Sequence, residues 1–192
     1  MCIFTFKNPR LLLISVLLSL NFSTAQSVEE EGNTVIEANF RTLENERFTI
    51  SYPESWKADE SGARGTALLL FVPSDPTVGG AFKDNINLLI QDLTGYELDL
   101  QGFTDLSLNQ LKSMLPEVKM LSNERKKIGD YDVQQLIFTA KQKGYDLKFE
   151  QRYWVIGKEA YVLTATYLET NAAAQEPMIV NVLNTFTPII PE

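Results

Sequence analysis

The sequence predicts an α+β fold in which a mostly antiparallel sheet is covered by helices on both faces. Three observations indicate this α/β/α sandwich. Residues 66–72 are apolar at almost every position, which is typical of a strand covered on both sides. Residues 117–168 contain four strand-like segments separated by two-residue turns with glycine. Apolar stripes with helical spacing occur at 103–115 and near the C-terminus.

Residues 1–26 have the pattern of a secretory signal peptide. Lys7 and Arg10 precede the apolar run 11–20, and Ser23-Thr24-Ala25 has the small residues that a signal peptidase accepts. The run is about half the length that a bilayer-spanning helix needs, so a retained anchor is the weaker alternative. We therefore expect export to the periplasm or the extracellular space, with no stable membrane span after cleavage.

After the signal we expect a mobile acidic leader at 27–34 and a single domain at 35–192, because no linker or repeat divides the rest. Cleavage would remove Cys2, the sole cysteine, so no disulfide is available. It would also change the formal net charge from −8 to −10, since only basic charges lie in the signal. Nucleic acid is not expected as a partner, and the one basic cluster, 125–127, fits a solvated strand end better than a binding patch.

The first half of the domain contains three strands and a helix. Segment 47–52 alternates polar and apolar residues, as a half-buried strand does, and 86–91 continues this pattern. Segment 66–72 is the strand covered on both sides. In the helix that carries the apolar stripe, Thr104 is a candidate cap and Pro116 closes the segment. The stripe consists of Phe103, Leu106, Gln110, Leu111 and Met114.

The second half is predicted to be a meander with strands near 117–128, 131–140, 145–156 and 159–168. In the third strand, one face is apolar and most of the other, from Asp146 to Arg152, is expected to meet water. A terminal helix carries the last apolar stripe, with Pro177 at its first turn or at a kink. That stripe consists of Met178, Ile179, Val182, Leu183 and Phe186.

The chain has no histidine, which excludes Ser-His-Asp triads, Cys-His pairs and His-ligated zinc. We predict no catalytic, cofactor-binding or metal-binding residues. Two alternatives use carboxylates. Asp75, Asp84 and Asp92 flank loops that would supply oxygen ligands to calcium, although no EF-hand pattern is present. Glu150 and Glu159, on adjacent predicted strands, would be the acid and base of a glycoside hydrolase if they shared a cleft.

Several local patterns, in this order, resemble the PsbP-like fold. They are Phe48–Pro53 followed by Trp56, then Asp84–Leu88, then Arg152–Gly157 through Ala160–Thr164 into a helix that ends at Thr185-Phe186. This fold is shared by the extrinsic photosystem II subunit, the yeast Ran-binding Mog protein and DcrB-type bacterial envelope proteins. The resemblance covers about residues 38–190 and implies modules that bind or stabilise other proteins, without a reaction. Histidine-based metal contacts of the photosynthetic members do not carry over.

Tyr52, Trp56, Arg152 and Trp154 are the residues that would form a partner-binding surface, because Trp, Tyr and Arg are favoured interface anchors. The alternative is that Pro53 turns the chain and Trp56 covers the sheet end, with the charges on 148–152 paired across strands. We predict a non-enzymatic module that binds another envelope or extracellular protein and uses no cofactor. The second hypothesis is a small-ligand domain with a cleft between the sheet and helix 103–115, and a carboxylate hydrolase is third.

Overall fold

The computed structural model describes residues 39–62, 65–73, 82–115 and 117–189. The predicted signal peptide, the leader, Asp75 and Pro116 lie outside the described residues. The elements, in chain order, are β1 (Phe40–Glu44), β2 (Phe48–Pro53), β3 (Lys57–Asp59), β4 (Leu68–Phe71), β5 (Asn85–Asp92), α1 (Leu100–Met114), β6 (Lys119–Ile128), β7 (Tyr131–Gln142), β8 (Tyr145–Ile156), β9 (Glu159–Leu168), a 3₁₀ turn (Glu169–Asn171), α2 (Ala172–Asn184) and β10 (Thr187–Pro188).

The main sheet has seven antiparallel strands in the order β3-β4-β5-β9-β8-β7-β6. The predicted meander is confirmed, because β6 to β9 are joined by the expected two-residue turns. Lys143 and Gly144 both have positive φ, 50° and 84°, as the twist of a type I′ hairpin requires. The predicted α+β fold with a mostly antiparallel sheet is therefore correct.

A second, smaller sheet was not predicted. It has the order β1-β2-β10, and both outer strands run antiparallel to β2. The alternation predicted for 47–52 is confirmed, since Phe48, Ile50 and Tyr52 of β2 are buried. They pack in the same apolar cluster as Trp154 and Phe186. The small sheet therefore shares one face of the main sheet with α2.

The main sheet separates two apolar cores. The first lies under α1 and includes Phe103 and Leu111 of that helix, with Phe138 stacked on Phe149 at 4.8 Å between ring centroids. The second lies under α2 and the small sheet and contains Ile179, Val182 and Leu183. Because successive residues of a strand point to opposite faces, β9 supplies both cores. Helices thus cover both faces of the sheet, as predicted.

Two local predictions about the helices need correction. The N-cap of α1 is Asp99, whose carboxylate accepts the Gly102 N–H at 2.8 Å. Thr104 lies inside the helix instead and donates to the Leu100 carbonyl. Met114 is 47% exposed, so the apolar stripe ends before it. Of the two alternatives for Pro177, the structure excludes the first turn, because the proline lies in the interior of α2.

No helix in the described part of the chain is long and apolar enough to cross a membrane.

Candidate functional site

Tyr52 and Trp56 are not exposed, so they do not form an aromatic platform on the predicted partner-binding surface. Their exposed fractions are 3% and 5%. The Trp56 N–H donates to the Pro53 carbonyl at 2.9 Å, so the chain turns at the proline and brings the indole back onto the core. Arg41 covers the Tyr52 ring, with its guanidinium carbon 4.8 Å from the ring centroid. The arrangement agrees with the alternative in which Trp56 covers the end of the sheet.

Arg152 and Trp154 are also buried, at 3% and 1% exposure, and this corrects the expectation that their face of β8 meets water. The face lies under α2. Trp154 packs on Phe186, with ring centroids 4.9 Å apart. Arg152 donates to Glu150 and to the side-chain oxygen of Asn184, at 2.9 and 2.8 Å. The polar pattern of the strand misled the prediction because paired charges can lie beneath a helix.

A small polar network therefore joins α2 to the sheet. Glu150 Oε1 accepts from Gln135 Nε2 at 2.6 Å as well as from Arg152. Arg152 also binds Asn184 at the C-terminal end of α2. In the N-terminal half of the helix, the Lys148 ammonium contacts both Glu176 carboxylate oxygens at 2.8 Å. The Arg152–Asn184 hydrogen bond and the Lys148–Glu176 ion pair therefore connect α2 to β8 at two positions.

The two carboxylates of the hydrolase alternative are not brought together. Glu150 lies opposite Ala165, whereas Glu159 lies opposite Ile156, six residues further along β8. Six residues of strand correspond to about 20 Å. Glu159 pairs instead with Arg47. The separation exceeds the distance between the carboxyl groups of either class of glycosidase, about 5 to 9.5 Å.

The loop aspartates do not converge on one site either. Asp84 is fully buried and accepts from the Leu168 N–H and from Asn171. Burial raises the pKa of Asp84, and these two hydrogen bonds oppose the rise. Asp92 is exposed, and hydrogen bonds from the Thr94 side chain and backbone lower its pKa. Within the described ranges, no group of three or more acidic or cysteine side chains is placed to hold a metal ion.

The longer open edge of the main sheet is the outer edge of β6, residues Lys119–Ile128, which we call the β6 edge. β6 is the last strand of the main sheet and, in the described part of the chain, pairs only with β7. It has ten residues, whereas β3 at the opposite edge has three. Most of its side chains are exposed. The register shifts between Met120 and Ser122, which is a bulge or irregularity near its start.

The β6 edge carries mostly positive charge in an acidic protein. Its cations are Lys119, Arg125, Lys126 and Lys127, against Glu124 alone. Lys126 lies 3.4 Å from Glu124, and Lys127 lies 4.0 Å from Asp132. Both pairs are exposed and therefore weak. Lysines on an edge strand also oppose unwanted pairing with other chains.

A polar cleft of about 350 Å³ lies between α1 and the β6 edge, and we call it the α1–β6 cleft. Arg125 crosses it and donates to the neutral amide oxygen of Gln101 at 3.1 Å. On its floor, Gln134 donates to Asn123 at 2.7 Å. The lining residues are Gln101, Thr104, Asp105, Leu108, Asn123, Arg125 and Gln134.

Two exposed apolar side chains lie on the two elements that border the cleft. Met114 is the last residue of α1, and Leu121 lies at the bulge of β6, with exposed fractions of 47% and 49%. They are the two large apolar residues that the described part of the chain leaves exposed. The cleft and the β6 edge together offer amide and guanidinium contacts, and Leu121 adds an apolar side chain on the same strand, which is an arrangement suited to binding.

The sequence prediction placed a possible cleft between the sheet and helix 103–115, and the α1–β6 cleft lies there. It did not identify Gln101, Asn123, Arg125 or Gln134. The cluster at 125–127 was the available signal, and it was interpreted as a solvated strand end. Those three residues are indeed exposed at the end of β6.

Comparisons with known proteins identify the fold alone. No protein-family model and no curated protein matches the chain. Among solved structures, cyanobacterial PsbP (CyanoP) from Synechocystis sp. PCC 6803 is similar, with a TM-score of 0.60 and 12% identity, over 83% of this chain and 98% of that one. LpqN of Mycobacterium tuberculosis, described as involved in cell envelope biogenesis, has a TM-score of 0.58 and 14% identity, over 80% and 92%.

A third similar structure is PA94 from Pseudomonas aeruginosa, a protein of unknown function described as a putative regulator. Its TM-score is 0.55 at 14% identity, over 80% of this chain and 97% of that one. These neighbours confirm the PsbP-like fold that the sequence motifs indicated. At such identities the similarity extends to the fold and not to the function.

Proposed function

We propose that this PsbP-like chain is an exported, non-enzymatic module that binds another protein of the cell envelope or the extracellular space. The observation that carries the proposal is the β6 edge, a ten-residue strand with mostly exposed side chains that pairs with no described strand on its outer side. Structural neighbours such as LpqN and CyanoP fit an envelope or extrinsic module. The interacting surface in this proposal is the β6 edge with the adjoining cleft, and the buried aromatic residues have no part in it.

The environment of the carboxylates supports a role without catalysis. General acid–base chemistry needs a proton-transferring group within hydrogen-bond reach of a bound substrate. Glu150 and Glu159 are each engaged by an arginine, and Asp84 is enclosed between β9 and the 3₁₀ turn. These groups serve the fold, so binding remains the function that the exposed features favour.

A second candidate function is the binding of a small molecule in the α1–β6 cleft. The cleft has the volume of a small-ligand site. Its lining is polar, with three amide side chains, a carboxylate and a guanidinium, so a polar ligand would fit better than an apolar one. This candidate predicts binding that depends on the cleft residues but not on the backbone of β6.

Affinity capture with matched variants tests the main proposal. The tagged mature chain, residues 27–192, would be crosslinked to proteins of its own cell envelope and analysed by mass spectrometry. A variant with Arg125→Glu and Lys127→Glu reverses two charges near the β6 edge. A variant with Lys57→Glu and Lys158→Glu makes the same charge change elsewhere.

We expect one partner to be captured by the native chain and by the Lys57/Lys158 variant, and lost with the Arg125/Lys127 variant. Equal capture by both variants would show that the β6 edge is not the binding surface. If only a small molecule co-purifies, the second candidate replaces the first.

Export is tested separately by N-terminal sequencing of the chain recovered from the envelope or the medium. Cleavage after residue 26 would give a chain beginning with Ser27. A chain that keeps residues 1–26 and stays in the cytoplasm would contradict this part of the proposal.

A further inference from the structure

We infer that the β6 edge binds an extended, acidic segment of a partner protein by strand addition, so that the segment becomes the eighth strand of the main sheet. This inference rests on the proposed function and specifies the chemistry of the partner. An uncovered edge strand presents a row of unpaired N–H and C=O groups, which is the template that strand addition uses. The ten residues of β6 extend over about 33 Å.

The bulge limits where a partner strand can pair in continuous register. Because the register shifts between Met120 and Ser122, regular pairing is available from Ser122 to Ile128. This gives a segment of about seven residues. Leu121 is half exposed immediately before that range, so an apolar residue at the matching end of the segment would cover it.

The faces of β6 determine which side chains of the segment meet the cleft. Asn123 lies opposite Leu136, and Arg125 lies opposite Gln134. Leu136 belongs to the core under α1, so Asn123 and Arg125 are on the α1 face of the sheet. An added strand would place every second side chain on this face, beside the α1–β6 cleft. The cleft would then distinguish between side chains of the segment.

The charge of β6 favours carboxylates at those positions. Arg125 donates to a neutral amide of Gln101, and a carboxylate would accept a stronger, charge-assisted hydrogen bond from it. Lys127, two residues further along the same face, is held only in an exposed ion pair with Asp132, which leaves it available. Screening limits the range of interactions between exposed charges to about 8 Å at physiological salt. The nearby cations of β6 therefore affect a bound segment more than the negative net charge of the whole chain does.

The test uses the ¹⁵N-labelled mature chain and a synthetic heptapeptide, Leu-Glu-Thr-Glu-Thr-Glu-Thr, with blocked ends. Two control peptides carry methyl groups on alternate backbone nitrogens, the first on the odd-numbered residues and the second on the even-numbered residues. Only one of these two sets of N–H groups would face β6, so one of the two peptides cannot donate hydrogen bonds to it. A third control has lysine in place of each glutamate. Amide chemical shifts report both the site and the affinity.

We expect the glutamate peptide to shift the amide signals of Ser122–Ile128. One of the two methylated peptides and the lysine peptide should not shift them. Arg125→Gln should weaken the peptide about tenfold, as loss of a charge-assisted hydrogen bond does. Lys141→Gln, which removes an exposed cation from β7, should leave it unchanged. Dispersed spectra of both variants would verify that they fold.

The inference is overturned if millimolar peptide shifts no amide of β6, if both methylated peptides bind as well as the parent, or if the lysine peptide binds equally. Its failure is distinguishable from failure of the proposed function. If the peptide does not bind but partner capture still depends on Arg125 and Lys127, only strand addition is wrong. If capture is independent of both residues, the proposed function is wrong as well.

Discussion

Arg152 and Glu150 lie two residues apart on β8 and form a buried ion pair between the sheet and α2, with Arg152 Nη2 2.8 Å from Glu150 Oε1. Glu124 and Lys126 on β6 have the same spacing, but both of their side chains are about half exposed and 3.4 Å apart. The two pairs look alike in the sequence. The Arg152–Glu150 pair lies in the interior, whereas the Glu124–Lys126 pair lies on the open β6 edge. Replacing the cation of each pair should therefore change the stability of the fold by very different amounts.

Arg152→Met should destabilise the fold by about 3 to 5 kcal/mol, because Glu150 would remain buried without its cation. Lys126→Met removes the cation of the exposed pair and should change the free energy of unfolding by no more than about 1 kcal/mol. Urea unfolding of both variants, followed by circular dichroism, measures the two values. Equal effects would contradict the placement of α2 over Arg152.

The chain has two tryptophans, Trp56 and Trp154, and both are buried. We expect blue-shifted emission and weak quenching by acrylamide, with strong quenching only after unfolding. Trp56→Phe and Trp154→Phe variants isolate each indole. Trp154→Ala should cost about 3 to 5 kcal/mol, as truncation of a large core side chain does. If Trp56 in the native state were quenched as strongly as a free indole, its burial would be contradicted and an exposed aromatic surface at this position would be supported.

Asp84 should make the stability depend on pH in the direction opposite to a salt-bridged carboxylate. Burial raises its folded-state pKa above the usual 3.8, so the folded chain holds this proton more tightly than the unfolded chain does. Stability from this group is therefore present below about pH 4 and is lost as the pH rises through the raised pKa. The free energy of unfolding of the native chain, minus that of Asp84→Asn, should fall over this range. A difference that rises with pH would contradict the assignment.

The lysines of the β6 edge should keep the chain from pairing with itself. Replacing both Lys126 and Lys127 with threonine removes these charges while keeping residues that favour strands. We expect the weight-average mass in sedimentation to rise with concentration for this variant more steeply than for the native chain. Lys57→Thr, on the three-residue β3 at the other edge, is the control and should behave as the native chain does. Identical behaviour of all three proteins would show that the edge is protected in another way.

The meander was predictable from the sequence because its signals are local. Gly129, Gly144 and Gly157 mark the turns, and the alternation between them sets the strands. The strands β1, β3 and β10 were not predicted, since they have five, three and two residues and depend on pairing with distant parts of the chain. The polar face of β8 was assigned to water because the sequence does not indicate which charges become paired beneath a helix.

The candidate site was only partly visible for a similar reason. The cluster at 125–127 can be seen in the sequence, but its position on a free edge follows from the strand order, which is not a local property. The cleft was expected beside helix 103–115 and lies there, although its lining comes from three separate elements. Arg125 lines the cleft together with Gln101, to which it donates a hydrogen bond and which is 24 residues earlier in the chain.

The most direct test of the account is site-specific photo-crosslinking in cells that produce the protein. A photoreactive phenylalanine analogue would replace Leu121 on the β6 edge or, as controls, Glu44 on β1 and Lys57 on β3. We predict a discrete crosslinked protein from position 121 that disappears when Arg125→Glu is added, and none from the two control positions. Crosslinks from position 44 or 57, with none from position 121, would show that the partner binds elsewhere and that the β6 edge is not the functional surface.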